Sequence, residues 1–107
     1  WWIDIHKPDQ AVKEAIRLSK GADRPVVIAD TQDNPGAGGN SNTTGILRAL
    51  VANQASDAAL GILFDPEAAE AAHKTGVGKT ITLGLGGEPA LGDNPFEGTF
   101  SIDFLSN

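Results

Sequence analysis

The stretch PVVIADTQDNPGAGGNSNTTGILRAL, residues 25–50, sets the expected fold of the chain. It begins with a continuous apolar run, residues 26–29, which is typical of a strand buried on both faces. A glycine-rich segment follows at residues 34–44, hereafter the glycine loop, in which no side chain is larger than asparagine. A helical pattern then begins, with Thr43 or Thr44 as its predicted cap. This order of strand, loop and helix places the glycine loop where α/β proteins bind ligands.

Helical and strand-like patterns alternate along the rest of the chain. Two more helices are predicted, one at residues 8–20 and one at residues 66–75 after the strong helix start Asp65-Pro66-Glu67. Three more strands are predicted, at residues 58–64, 80–85 and 99–105. This rhythm predicts a single α/β domain over residues 1–107, with a layered, mostly parallel or mixed sheet of about four strands and three helices.

The composition and net charge of the chain limit which partners and cofactors it is expected to have. The chain has a formal net charge of −6, so we expect neither a nucleic-acid nor a membrane partner, because both favour basic surfaces. It has no cysteine, which excludes disulfides and suits a cytoplasmic protein. It also has no methionine and begins with Trp1-Trp2-Ile3. We therefore expect a piece of a longer protein, for which the sequence leaves oligomer formation open.

The glycine loop and the residues before it hold the main candidates for chemistry. Asp30 and Asp33 precede the loop and are the candidate catalytic carboxylates. The candidate substrate-binding or cleft residues combine permissive backbone with neutral hydrogen-bonding groups, and they are Asn34, Gly36, Gly38, Gly39, Asn42 and Thr44. The alternative is a loop that only turns a corner, but such connections usually need roughly two to six residues. The greater length favours a binding or interface role.

Two other motifs do not predict a site. The sequence GVGKT, residues 76–80, is similar to the end of a phosphate-binding P-loop. However, His73 stands where that motif needs its first glycine, and the segment follows a helix instead of a strand. Asp4 and His6 share one face of a strand, but the chain offers few other convergent ligands. No metal-binding residue is predicted within this chain.

Two segments, PVVIADTQDNPGAGG and ILRALVANQASDAALGILFDPEAAEAAHKTGVGKTITLGLGG, carry a family resemblance. Together they resemble the C-terminal domain of the MlrC (microcystinase C) family of zinc metallopeptidases. The resemblance covers about residues 20–87, whereas residues 1–19 and 88–107 match only loosely. Its most specific landmarks are Asp30, Asp33-Asn34-Pro35-Gly36, the helix with Leu47-Arg48-Ala49-Leu50, Asp65-Pro66-Glu67, Gly76-Val77-Gly78 and Leu85-Gly86-Gly87.

The resemblance implies a metal-dependent hydrolase whose zinc ligands lie mostly in a separate N-terminal domain. Zinc is then a cofactor of the longer protein, and none is expected to bind to this chain alone. The implied partners are that N-terminal domain and a small peptide or amide substrate. Members of the family often carry an aspartate where this chain has Asn42, which cannot act as a general base.

Two hypotheses follow. In the first, the chain is the C-terminal domain of such a hydrolase, its glycine loop forms one wall of the cleft, and Asp30 or Asp33 orients water, substrate or metal ligands. In the second, the chain is a non-catalytic binding module whose loop amides and helix N-terminus hold a small anion or a partner domain.

Overall fold

The computed structural model describes residues 5–107, and within that range it contains three α-helices and one sheet. In chain order, the elements are α1 (Pro8–Ser19), α2 (Gly45–Ala52), α3 (Pro66–Thr75), β1 (Thr80–Leu85) and β2 (Phe96–Ser101). Single turns of 3-10 helix at Pro35–Ala37 and Pro89–Leu91 lie in the connections before α2 and between the strands. Asp4 of the Asp4–His6 pair lies outside the described residues.

The helix α1 confirms the first predicted helix. Pro8 occupies its first turn, and Asp9 lies near the positive end of the helix dipole. The helix packs against α2 and buries Val12. Just after α2, Asn53 donates its side-chain N–H to Asp9 Oδ1 at 2.9 Å, so the start of α1 is tied to the end of α2.

The helix α3 also begins and ends where the sequence predicts. Asp65 caps it, because Asp65 Oδ1 accepts the N–H of Ala68 at 3.0 Å. The helix ends at Thr75, and the following Gly76 has a φ of +98°, a conformation that favours glycine. Because α3 packs on β1, this cap fixes where the helix meets the sheet.

The strand β1 lies at its predicted residues and pairs with β2 in an antiparallel hairpin. The register aligns Thr80 with Ser101 and Leu85 with Phe96. The ring centroids of Phe96 and Phe100 on β2 lie 6.3 Å apart, within the range of favourable aromatic pairs. β2 begins and ends earlier than the predicted strand at residues 99–105.

The predicted layered, mostly parallel or mixed sheet of about four strands is wrong, because the described residues contain one two-stranded antiparallel sheet. Residues 26–29 and 58–64 are not strands. A continuous apolar run indicates burial, but a strand also needs a neighbouring backbone with which to form hydrogen bonds. Within residues 5–107, these two segments make one backbone–backbone hydrogen bond, from Phe64 N to Ser41 O at 2.7 Å. Ile62 has a φ of +52°, which turns the second segment out of the extended conformation.

The apolar core is small. Among the described residues, the buried apolar side chains are Val12, Ala49 and Ile102. Most apolar residues of the two unpaired segments remain open to solvent: Val27 is 84% exposed and Ile62 is 77% exposed, whereas Ile28 and Leu63 are half-buried. No helix within residues 5–107 has both the length and the apolar composition of a membrane-spanning segment.

Candidate functional site

An open groove of about 1010 Å³ lies between α1, residues 26–33 and the glycine loop. Five of the predicted site residues line it, namely Asp30, Asp33, Gly38, Gly39 and Asn42. The other three, which are Asn34, Gly36 and Thr44, are not part of its lining within residues 5–107. The structure thus brings most of the predicted site to one groove.

Asp33 is the residue around which the glycine loop is organised. Its Oδ1 accepts the N–H of Ser41 at 2.7 Å, and its Oδ2 accepts both the N–H and the hydroxyl of Thr43 at 2.8 Å. The hydrogen bond from the Thr43 N–H is the main reason that the pKa of Asp33 is lowered, while desolvation acts in the opposite direction. Asp33 is therefore an ionised side chain with both oxygens bonded to the loop.

Asp30 shapes the bend that precedes the loop. Its Oδ1 accepts the N–H groups of Gln32 and Asp33, each at 2.9 Å, as in an Asx turn. Its Oδ2 makes no hydrogen bond with any residue between 5 and 107, and the residue lines the groove. Of the two predicted catalytic carboxylates, Asp30 is the one with an oxygen that no residue between 5 and 107 occupies.

Asn34 and the glycines near it shape the first half of the loop. Asn34 Oδ1 accepts the N–H of Gly36 at 2.9 Å, and its Nδ2 donates to the carbonyl of Asp30 at 3.1 Å. Gly38 has a φ of +91°, which only glycine adopts easily. At Gly39 space is the constraint, because an added Cβ would lie 2.8 Å from the backbone nitrogen of Asn34.

Asn42 contacts the carboxylate of Glu88. Its Nδ2 donates to Glu88 Oε2 at 2.7 Å and to the carbonyl of Gly87 at 3.3 Å. An aspartate at position 42 would place two negative charges at hydrogen-bonding distance, which is unfavourable unless one of them is protonated. The neutral amide of Asn42 avoids this repulsion and donates a hydrogen bond to Glu88 instead.

Thr44 is the fully buried polar residue of the loop, with an exposed fraction of 0%. It is the N-cap position of α2, but its hydroxyl makes no capping bond to the helix. Instead, its N–H donates to Asp93 Oδ2 at 2.9 Å and its hydroxyl to Asp93 Oδ1 at 2.7 Å. Asp93 thus supplies the negative charge at the start of α2.

Glu88 and Asp93 are not among the predicted site residues, although both line the groove and bind the loop. Their neighbours Gly87, Gly92 and Pro95 indicate only a turn-rich connection. The sequence shows two acidic residues in that connection. It does not show what they bind, because their partners lie 46 and 49 positions away along the chain.

The backbone N–H groups of the loop are mostly occupied by acceptors within the chain. Such bonds are made by Gly36, Ala37, Gly38, Gly39, Ser41, Thr43 and Thr44. The segment is shaped like an anion-binding nest, but the carboxylates that fill it belong to Asp33 and Asp93. Little of its donor capacity is left for an external anion.

The donor set of the described residues does not fit a zinc site. Within residues 5–107, no group of three or more His, Cys, Asp or Glu side chains could hold a metal ion. Both oxygens of Asp33 are bonded to the loop, whereas zinc sites usually take three or four protein ligands that converge on the ion.

Comparison with known proteins extends the family resemblance. The family model for the MlrC C-terminus matches residues 28–107, so the match includes the segment 88–107 that carries Glu88 and Asp93. The chain is 30% identical over 82 residues to Microcystinase C from Sphingomonas sp, an alignment that covers 76% of this chain and 16% of that protein. No solved structure matches the chain. With three quarters of its length matched, the chain belongs to the MlrC C-terminus family.

Proposed function

We propose that the chain is the C-terminal domain of an MlrC-like, metal-dependent hydrolase that acts on amide or peptide bonds. In this proposal, the glycine loop forms one wall of the substrate cleft and the acidic residues beside it face the substrate. The observation that carries the proposal is the groove of about 1010 Å³. The glycine loop of this chain lines the groove, and the carboxylates of Asp33 and Asp93 hold the loop in place.

The two predicted catalytic carboxylates have different roles in this proposal. Asp33 holds the loop, since its oxygens accept hydrogen bonds from Ser41 and Thr43 and its lowered pKa suits a permanent charge better than a general base at neutral pH. Asp30 has Oδ2 free within the described residues. It is therefore the better candidate to orient water or a substrate amide.

The metal of the proposed hydrolase is assigned to the rest of the longer protein. The described residues lack a convergent donor set, so no step of the reaction is routed through a metal bound to this chain. A metal supplied by the N-terminal domain would polarise the amide carbonyl or activate water. This chain would orient the substrate and limit its access to solvent. The proposed partners remain that N-terminal domain and a small peptide or amide substrate.

The alternative function, a non-catalytic module that binds a small anion, is less well supported. The N–H of Thr44 and the N–H groups of Ser41 and Thr43 already donate to Asp93 and Asp33. Another anion would therefore have to displace a carboxylate of the chain itself. The same alternative also allows the module to bind a partner domain. This version agrees better with the exposed side chains of Val27, Ile62 and Phe64, since apolar surface of this kind marks protein interfaces.

The test uses the complete protein that carries this domain and measures hydrolysis of short linear peptides. We expect Asp30→Asn to lower kcat/KM by about tenfold or more, because it removes a charged group from the cleft. The matched control is Asp23→Asn, which removes the same charge at an exposed position. Equal rates for Asp30→Asn and Asp23→Asn would contradict a role for Asp30 in the cleft.

A second measurement tests the division of labour between the domains. Calorimetric titration of the 107-residue chain with zinc should detect no tight stoichiometric site, because its described acidic side chains do not converge. A tight one-to-one zinc site in this chain would contradict the proposal that the metal ligands lie in the N-terminal domain.

A further inference from the structure

The connection between β1 and β2 carries two carboxylates that reach the glycine loop. Glu88 and Asp93 close a short turn, hereafter the clasp turn (residues 88–93). The turn is closed by two backbone hydrogen bonds, from Glu88 N to Asp93 O at 2.7 Å and from Asp93 N to Glu88 O at 3.2 Å. Their side chains bind different parts of the loop, Glu88 at Asn42 and Asp93 at Thr44. The loop is therefore held from a distant part of the sequence.

Asp93 binds the end of the loop at which α2 begins. Its two oxygens accept the N–H and the hydroxyl of Thr44, at 2.9 and 2.7 Å. Because Thr44 is fully buried, water cannot replace these acceptors. The loss of Asp93 would leave the Thr44 N–H unsatisfied and its hydroxyl with only the longer contact to the carbonyl of Asn94, at 3.4 Å. The Asp93 side chain also lies at the positive end of the α2 dipole, where an acidic side chain is stabilising.

Arg48 on α2 fixes the direction of this contact. Its Nε donates to Thr44 Oγ1 at 2.9 Å. A hydroxyl group has a single proton, so Thr44 accepts from Arg48 and donates to Asp93. The guanidinium group also donates to the carbonyls of Asn94 and Pro95, at 2.7 and 2.9 Å. As a result, α2 and the segment that leads into β2 are joined at Thr44.

We propose that Asp93 is a positioning residue of the candidate site. Acting through Thr44, it sets the end of the glycine loop, and with it the orientation of Asn42 and of the Thr43 groups that bind Asp33. The inference rests on the proposed function, because the orientation of the loop matters for activity only if the groove binds a substrate.

The first test is amide hydrogen exchange of the 107-residue chain, followed residue by residue by NMR. Asp93→Asn is expected to speed exchange at residues 41–44 by about tenfold, the effect of weakening one hydrogen bond to a charged group. Exchange in β1 and α3 should change much less. The control Asp23→Asn removes the same charge at an exposed position and should leave residues 41–44 unchanged. A uniform increase across all elements after Asp93→Asn, or no increase at residues 41–44, would overturn the proposal.

Substitutions at Thr44 test whether Asp93 acts through this residue. Thr44→Ser keeps both donors to Asp93 and should preserve slow exchange at residues 41–44. Thr44→Val removes the hydroxyl and should speed exchange there in the same way as Asp93→Asn. If Thr44→Ser and Thr44→Val exchange alike, the hydroxyl does not transmit the effect and the proposal fails.

Kinetics of the complete protein separate this proposal from the proposed function. Asp93→Asn should lower kcat for peptide hydrolysis more than it raises KM, because a misplaced loop weakens transition-state contacts. If exchange quickens at residues 41–44 but kcat and KM stay unchanged while Asp30→Asn still lowers kcat/KM, the positioning role is overturned and the proposed function stands. If neither variant changes hydrolysis, the proposed function fails as well.

Discussion

At the scale of single residues, carboxylates determine the shape of the candidate site. Asp33 and Asp93 each bind two or more donors of the glycine loop, whereas Asp30 uses one oxygen for its own turn. At Asp33 the hydrogen bonds from the loop lower the pKa and hold the carboxylate in its charged form. The two predicted catalytic residues thus differ in role: Asp33 holds the loop, whereas Asp30 faces the groove.

Replacing Asp33 should destabilise the chain as well as the loop. We expect Asp33→Asn to lower the free energy of unfolding by about 2 kcal/mol, since an amide cannot replace a carboxylate that accepts hydrogen bonds at both oxygens. Urea denaturation followed by circular dichroism measures this change. Asp23→Asn is the matched control, and an equal loss of stability in both variants would mean that the loop contacts of Asp33 contribute nothing beyond its charge.

The pH dependence of stability should reveal the same residue. The pKa of Asp33 is lowered in the folded state from its ordinary value of 3.8, so the unfolded chain binds the proton more readily and stability falls as pH falls. The stabilisation by Asp33 should be fully present above about pH 5 and be lost as the pH drops through the folded-state pKa. Unfolding curves of the original chain and Asp33→Asn should therefore converge in acid. A difference that stays constant below pH 3.8 would contradict this assignment.

The glycines of the loop should respond to substitution for different reasons. Gly38 has a positive φ but open space around its missing Cβ, whereas a Cβ at Gly39 would lie 2.8 and 2.9 Å from backbone atoms of Asn34 and Asp33. Gly38→Ala should cost about 1 kcal/mol, the penalty of the left-handed conformation. Gly39→Ala should cost more, because the backbone of the loop has to move. Thermal unfolding of both variants checks the order, and a smaller loss for Gly39→Ala would contradict it.

At the scale of elements, the sequence predicts well those parts whose signals are local. The start of α3 is marked by Asp65 and Pro66, and the alternation in residues 80–85 matches β1. The apolar runs at residues 26–29 and 58–64 could not be assigned in this way, because periodicity does not show whether a segment has a hydrogen-bonding neighbour. The position of the glycine loop was likewise predictable, but the residues that hold it from the clasp turn were not.

Asp65 links two elements, and variants can separate its two contacts. Its Oδ1 caps α3 at Ala68, while its Oδ2 accepts the N–H of Gly86 at 2.8 Å just after β1. Asp65→Ala should lower the free energy of unfolding by roughly 1–2 kcal/mol, as expected when a cap is lost. Asp65→Asn keeps a capping oxygen and should lose less. Denaturant titration of both variants tests this, and equal losses would show that the cap is not the main contribution.

At the scale of the whole molecule, the chain is less compact than its length predicts. Its radius of gyration is 15.0 Å, compared with about 13 Å for a typical domain of similar length. The difference agrees with the small set of buried apolar side chains and with the exposed apolar residues of the two unpaired segments. A surface of this kind suits a domain that packs against another part of a protein.

The exposed apolar segments should make the isolated chain bind hydrophobic dyes and associate with itself. The double variant Val27→Thr, Ile62→Asn replaces two residues that are 84% and 77% exposed, so folding should be retained while dye fluorescence and association decrease. Asparagine also tolerates the positive φ at position 62 better than isoleucine does. Sedimentation over a range of concentrations measures the association. Unchanged association in the double variant would locate the contact surface elsewhere.

The distance in sequence between the glycine loop and the clasp turn has a consequence for the order of folding. Thr44 and Asp93 are 49 positions apart, and Asn42 and Glu88 are 46 positions apart. Contacts of such long range form late, because the entropy lost in closing the chain must be offset by structure that is already present. During synthesis, the loop leaves the ribosome well before the residues that hold it. The candidate site is therefore completed only when the β hairpin has formed.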